Sequence, residues 1–318
     1  MKRLIGEYSG KEKGTLVIAL AAMHGNEPAG VLALRDLFQM LEDEPKKNPH
    51  FQFKGRLVGI IGNLQAYERK MRFVKKDLNR ELTPDKIEKA KQASSNSIEG
   101  QTPYAMAFED LELAELTQFV DNQINTYKPE KIIVLDLHTT SAAGGIFTIV
   151  TEDLESLEIA ITLHAPVVKG LVKGLGGTTL HYFKEENIGI PTVGICFEAG
   201  QHDDVFSVRR TIAWLVNCLR TVGCINAYDV ESRHDEILRG YSKNLPKAVQ
   251  VIDNHHITPN DNFKMLPDYQ NFQALKKGEI MAYDKNGAIQ SPEDCLILMP
   301  LYQLQGNDGF FLVKEVIR

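Results

Sequence analysis

The chain has 318 residues, 43% hydrophobic and 25% charged, with a formal net charge of −6. These are the values of a soluble globular protein long enough to bury a full core, as one large domain or two. The acidic balance argues against a broad nucleic-acid surface. No apolar run reaches the roughly 18 residues of a membrane span.

The four cysteines, Cys196, Cys218, Cys224 and Cys295, form no C-x-x-C pair, which argues against a cysteine-type zinc site and suits a reducing compartment. The N-terminus lacks the apolar stretch of a secretory signal, so a cytoplasmic protein is expected.

In chain order, "TLVIALAA" (15–22) reads as a buried strand. "PAGVLALRDLFQMLED" follows as a helix, with Pro28 suited to its first turn and Val31, Leu34, Phe38 and Leu41 on one face. "RLVGIIGN" (56–63) is a second strand. The polar stretch 83–103 reads as a surface excursion. A helix fits 104–127, with Leu113, Leu116 and Val120 at helical spacing. Strands are expected at 131–138, 146–151 and 192–200, then a helix over 205–223 with a glycine stop. Fully apolar short strands between helices predict an α/β domain with a mostly parallel sheet. From about residue 242 the helical pattern fades, and Lys285-Asn286-Gly287 looks like a hairpin turn. The expected division is a catalytic domain, 1–241, and a small β-rich domain, 242–318.

In open α/β sheets ligands sit beyond the carboxyl ends of the strands, so the residues that follow each strand carry the information. The first strand is followed by His24 and Glu27, the second by Arg72, Asn79 and Arg80, the third ends at His138 and the fifth at Glu198. "HGNEP" alone fits an N-cap turn as well as a ligand pair, and each other residue alone has a bland reading. Together they match a catalytic zinc site, which takes two histidines, a carboxylate and a water. Asp136 shares a strand face with His138 and either orients that imidazole or is buried elsewhere.

The motifs "HGNEPAG", "DLNR", "DLHTT" and "FEAG", in that order over residues 24 to about 200, resemble the succinylglutamate desuccinylase/aspartoacylase family, relatives of the zinc carboxypeptidases. The resemblance implies a zinc-carboxypeptidase-like three-layer α/β domain with a mixed, mostly parallel sheet and a β-rich tail. It also implies one zinc ion per chain, Zn(2+), held by His24, Glu27 and His138, with Glu198 as general base. Arg72 would polarise the scissile carbonyl, and Asn79 and Arg80 would hold the substrate's carboxylate. The expected activity is hydrolysis of the amide of an N-acyl amino acid, a small-molecule partner, with no nucleic acid and no membrane involved and homo-oligomerisation left open. The alternatives are a zinc carboxypeptidase or esterase on the same scaffold and, from another class, a binding protein that keeps the fold.

Two departures bear on the substrate. Aspartoacylase-like members use a further arginine shortly before the base, whereas 181–197 has Lys184 as its only cation other than histidine. The family's tail tyrosine aligns with Phe310 or Phe311, and phenylalanine cannot donate a hydrogen bond. Of the remaining polar clusters, "GLGGTT" (174–179) reads as a flexible turn and His202, Asp203 and Asp204 as a helix entrance. His255 and His256 read as surface residues, the lysines of 86–91 as a solvated face, and Cys196 as a core residue.

Overall fold

The computed structural model describes residues 1–95, 108–229 and 233–316. The chain begins with β1 (Leu4–Ser9) and β2 (Glu12–Ala21), followed by α1 (Ala29–Lys47), β3 (Lys54–Ile61), α2 (Leu64–Arg69), α3 (Pro84–Ser95) and α4 (Phe108–Tyr127). Next come β4 (Ile132–Thr140), β5 (Phe147–Val150), α5 (Leu154–Thr162) and β6 (Val167–Lys169). Two single-turn helices, α6 (Thr179–Tyr182) and α7 (Glu185–Ile188), lead to β7 (Thr192–Gln201), α8 (Ser207–Thr221) and α9 (Arg233–Ser242). The remainder is β-rich: β8 (Ala248–His256), β9 (Lys264–Met265), β10 (Gln273–Leu275), β11 (Ile280–Asp284), β12 (Gly287–Gln290), β13 (Cys295–Leu298) and β14 (Asp308–Glu315).

The large sheet has the order β1-β3-β2-β4-β7-β5-β6-β8-β14-β13-β10, and a second, three-stranded sheet runs β12-β11-β9. The centre is parallel: β3, β2, β4 and β7 run the same way. All nine residues of β4, "IIVLDLHTT", are buried, as a strand covered on both faces must be. One face of the sheet packs against α1, α5 and α8 through residues such as Leu34, Trp214 and Phe197. The other packs against α3 and α4 through Ile18, Val58, Leu113 and Leu116. The result is three layers with the sheet between two helical covers. Each fully buried Leu, Ile or Phe in these two cores contributes about 1.5–3 kcal/mol.

The expected strands and helices are present, with four revisions. β1 and β6 were not anticipated from the sequence, because one is a half-buried edge strand and the other has three residues. β5 runs antiparallel to β7, so the sheet is mixed there. The polar stretch read as an excursion is helical over α3. Only Ile87 and Ala90 are buried in it, too few to give a periodic signal, and the burial comes from packing on α4. Residues 96–103 of that stretch, and 104–107 of the expected helix, lie outside the described residues. Elsewhere, Gly223, at φ 77°, follows α8 as the expected stop. The expected hairpin is β11–β12, with Asp284 paired to Gly287. No helix among the described residues is long and apolar enough to cross a membrane.

Candidate active site

β2 ends at Ala21, and Ala22, at φ 52°, turns the chain towards α1. Gly25 is dictated by close packing: a Cβ there would lie 2.1 Å from the carbonyl carbon of Ala66 in α2. The tight turn brings Nδ1 of His24 to 2.9 Å from Oε1 of Glu27. Nδ1 of His138, from β4, lies 3.0 Å from Oε2 of Glu27, which also accepts the Thr139 backbone N–H at 2.9 Å. The capping alternative for this turn fails. The N-cap of α1 is Pro28, which offers no side-chain cap, and the Glu27 carboxylate is engaged by the two imidazoles and Thr139 instead. His24, Glu27 and His138 are 5%, 2% and 6% exposed, too little for solvated surface residues.

The ligand-type atoms of these three residues lie within 4.8 Å of one another and could hold a metal ion. The donor set fits a zinc-type site in a second respect: each imidazole turns its other nitrogen to a carboxylate. Nε2 of His24 is 3.2 Å from Oδ1 of Asp77. Nε2 of His138 is 3.0 Å from Oδ1 of Asp136, a close ionic approach without hydrogen-bond alignment. Asp136, His138 and Cys196 form a second group close enough for a metal. There burial, reinforced by Glu198, Asp136 and Glu27, pushes the Cys196 thiol well up, against the thiolate that ligation needs.

Burial alone would raise the Glu27 carboxyl and lower the His138 imidazole. The neighbouring charges outweigh it: His24 and His138 hold Glu27 well below the usual carboxylate range, and Asp136 and Glu27 hold His138 well above the usual imidazole value. Asp77 is likewise held low against its burial by His24 and Arg72.

Glu198 sits directly opposite His138 in the parallel β4–β7 ladder, so the register alone brings the two side chains together. It is 4% exposed, and its Oε2 is buried without a hydrogen-bond partner. Burial first, then the charges of Glu27 and Asp136, push its pKa up to about 8 against the opposing pull of His138 and Arg72. Arg72 reaches the site from the loop after α2. Its Nη2 donates to Oδ2 of Asp77 at 3.1 Å, and its Nη1 lies 3.7 Å from Oε1 of Glu27.

Asn79 and Arg80 lie in a single 3₁₀ turn, and each already has a protein partner. Oδ1 of Asn79 accepts from the Thr179 N–H at 2.9 Å and from its hydroxyl at 3.0 Å. Arg80 donates through Nη2 to Oδ2 of Asp308 at 2.6 Å. The "GLGGTT" turn is therefore a clamp on this segment rather than a loose connection. The Gly177 carbonyl accepts the Leu82 N–H at 2.9 Å, and a Cβ on Gly177 would lie 2.4 Å from the Arg80 carbonyl oxygen.

The cleft over these residues is closed by the tail through Met299, Leu301, Asp308 and Phe311. Of the two candidate phenylalanines, Phe311 faces the cleft, while Phe310 stacks on His255 at 4.9 Å. His255 is thus half-buried rather than a free surface residue. Lys184 is exposed and does not line the cleft, so it does not replace the missing arginine. At the entrance to α8, Asp204 accepts the Phe206 N–H at 2.9 Å, as an entrance residue should. His202 does not cap. Its Nδ1 lies 2.7 Å from the Thr139 hydroxyl, its Nε2 faces Gln303, and burial lowers its pKa. Reading the sequence missed the roles of Asp77, His202 and Asp308. Asp77 stood inside the quoted "DLNR" motif, whereas nothing local marks the other two.

The profile of the succinylglutamate desuccinylase/aspartoacylase catalytic domain matches residues 13–213. No curated protein sequence matches the chain. Among solved structures, a succinylglutamate desuccinylase/aspartoacylase from Rhodobacter sphaeroides is 16% identical with a TM-score of 0.62, covering 96% of this chain and 87% of that one. The succinylglutamate desuccinylase from Chromobacterium violaceum is 15% identical with a TM-score of 0.63, covering 100% and 95%. Murine aminoacylase 3 is 15% identical with a TM-score of 0.60, covering 96% and 97%. These likenesses show a shared fold, and the profile match across most of the three-layer domain shows that the chain belongs to the succinylglutamate desuccinylase/aspartoacylase family.

Proposed function

We propose that the protein is a zinc-dependent deacylase that cleaves the amide bond of an N-acyl amino acid, with one zinc ion per chain held by His24, Glu27 and His138. The observation that carries this reading is Glu198: a buried carboxyl with a free oxygen, set opposite His138 beside a two-histidine, one-carboxylate donor set. Relatives named as desuccinylases and an aminoacylase support the reaction class.

Zinc in such a site lowers the pKa of its bound water towards neutrality and polarises a carbonyl. Glu198 takes a proton from the attacking water and returns it to the leaving amine, a task suited to a carboxyl whose pKa lies near the working pH. Arg72 places a guanidinium over the carbonyl oxygen, where charge develops. Asp77 and Asp136 flank the outer nitrogens of His24 and His138, which would leave both Nδ1 atoms, beside Glu27, as the ones to hold a bound ion. Asn79 and Arg80 hold the substrate's carboxyl end, and the walls of Phe311, Met299 and Leu301 exclude water from it.

The test is a hydrolysis screen of the zinc-loaded protein. It covers N-acetyl and N-succinyl amino acids with acidic, neutral and basic side chains, beside C-terminal dipeptides and esters. Turnover of an N-acyl amino acid is expected, and its loss by about 10²–10⁴-fold in Glu198→Gln with zinc retained. Near-parental turnover in that variant would remove the base assignment. Preferred cleavage of dipeptides or esters would move the protein to a different activity on the same scaffold.

A further inference from the structure

One carboxylate in the cleft has no place in the reaction just described. Asp308, the first residue of β14, lines the cleft with its Oδ2 2.6 Å from Nη2 of Arg80. Its Oδ1 accepts from Nδ2 of Asn254 on β8 at 3.2 Å, and Nδ1 of His256 lies 3.7 Å away. The β14–β8 register sets Asp308 opposite His256, so the position of the carboxylate is fixed by the sheet.

The other cleft arginine is also paired: Arg72 lies on Asp77 at 3.1 Å and on Glu27 at 3.7 Å. Among the described residues, each arginine lining the cleft already faces a protein carboxylate. The rest of the cleft wall is partly apolar, with Met299, Leu301 and Phe311, and partly polar without charge, with Ser141, Gln303 and Asn307. A free substrate carboxylate at Arg80 would sit beside Asp308 in a partly buried cleft, and like charges so close repel. A carboxamide has the opposite fit: its oxygen accepts from the guanidinium and its N–H donates to the carboxylate, so both protein groups stay satisfied.

We infer that Asp308 is a specificity-determining residue: paired with Arg80, it makes this subsite select a carboxamide over a free carboxylate at the carboxyl end of an N-acyl amino acid. The inference rests on the reading that Arg80 receives that end of the substrate.

The experiment compares N-acetyl-L-leucinamide with N-acetyl-L-leucine on the zinc-loaded full chain. Binding is read by calorimetry in the Glu198→Gln protein, and turnover by acetate release in the parent. With Asp308 in place, the carboxamide is expected to bind at least about tenfold tighter. Adding Asp308→Asn reverses the preference through a fall in the dissociation constant of the free acid, and Asp308→Glu keeps the original order. Tighter binding of the free acid by the protein with Asp308 overturns the inference. So does binding of neither compound, or a ratio unchanged by Asp308→Asn in protein that melts normally. If Asp308→Asn does not fold, the ratio in the unaltered chain decides. The expected binding ratio without turnover of either compound in the parent would refute the deacylase reading and leave Asp308 in its role. Turnover of both with a ratio indifferent to residue 308 would do the reverse.

Discussion

Glu198 combines two demands that usually conflict, deep burial and a carboxyl that must exchange a proton. Its folded-state pKa of about 8 lies above the ordinary 4.5, so the folded chain holds this proton more tightly than the unfolded chain. The stability linked to it is fully present in acid, below 4.5, and is lost as the pH rises through about 8. Glu198→Gln, which cannot ionise, should therefore raise the melting temperature of chelator-treated protein by an amount that grows from pH 5 to pH 8. Differential scanning calorimetry across that range checks it, and a flat difference would contradict the shift. A bound dication favours the carboxylate and should shrink the effect. Asp77 supplies a second prediction at this scale. It holds Nε2 of His24 and also Arg72, so Asp77→Asn should weaken zinc affinity about 10–100-fold with little loss of fold, as read by competition with a chromogenic chelator.

The loop that delivers Arg72 is braced by one helix, α4. Glu109 accepts the Val74 N–H at 2.6 Å, and Glu112 accepts the Leu64 and Gln65 N–H groups at 3.0 and 2.9 Å, closing the start of α2. Glu112 also pairs with buried Arg3 at 2.6 Å. Glu112→Ala removes that partner and the acceptor of two N–H groups at the start of α2, while Asn63 still caps the helix and Glu115 still pairs with Arg3 at 2.9 Å, so a loss of about 1–3 kcal/mol is expected in urea unfolding. The turn after β2 is equally constrained. With the Gly25 Cβ position 2.1 Å from backbone of α2, Gly25→Ala must push the two apart, and both stability and zinc retention should fall together. Stability lost with normal zinc affinity would show that the turn relaxes without moving His24. The amphipathic pattern of α4 was legible from Leu113, Leu116 and Val120. Its two buried glutamates were not, since a glutamate on a helix reads as solvated until its backbone partners, some 35 to 48 residues away in sequence, are known.

Across the whole molecule, one sheet joins the parallel centre to the tail. β6 pairs with β8, and β8 with β14, so the metal-ligand candidates and the cleft wall of Met299, Asp308 and Phe311 are connected by a continuous ladder. Phe147, Val168 and Leu180 share a core with Val249, Leu298, Phe311 and Val313 from the tail. A chain cut after Gly240 would expose that core, and increased binding of a hydrophobic dye with a lowered melting temperature is the expected outcome. The tail also touches the site by polar contacts. Gln303 accepts from Asn26 at 3.0 Å, inside the "HGNEP" turn, and Gln305 donates to the Phe73 carbonyl at 3.0 Å.

The sequence by itself determined the layered α/β class and the convergence of His24, Glu27, His138, Glu198 and Arg72, because apolar strands recur with period and polar residues cluster at their ends. Those residues sit next to regular elements, and local pattern carries their positions. Only the tertiary structure decided what faces them. The parallel register sets Glu198 against His138, Thr179 occupies Oδ1 of Asn79, and a strand 228 residues away in sequence sets a carboxylate on Arg80. Such pairings depend on strand order and on charges brought together from distant segments, and no local spacing in the chain encodes them.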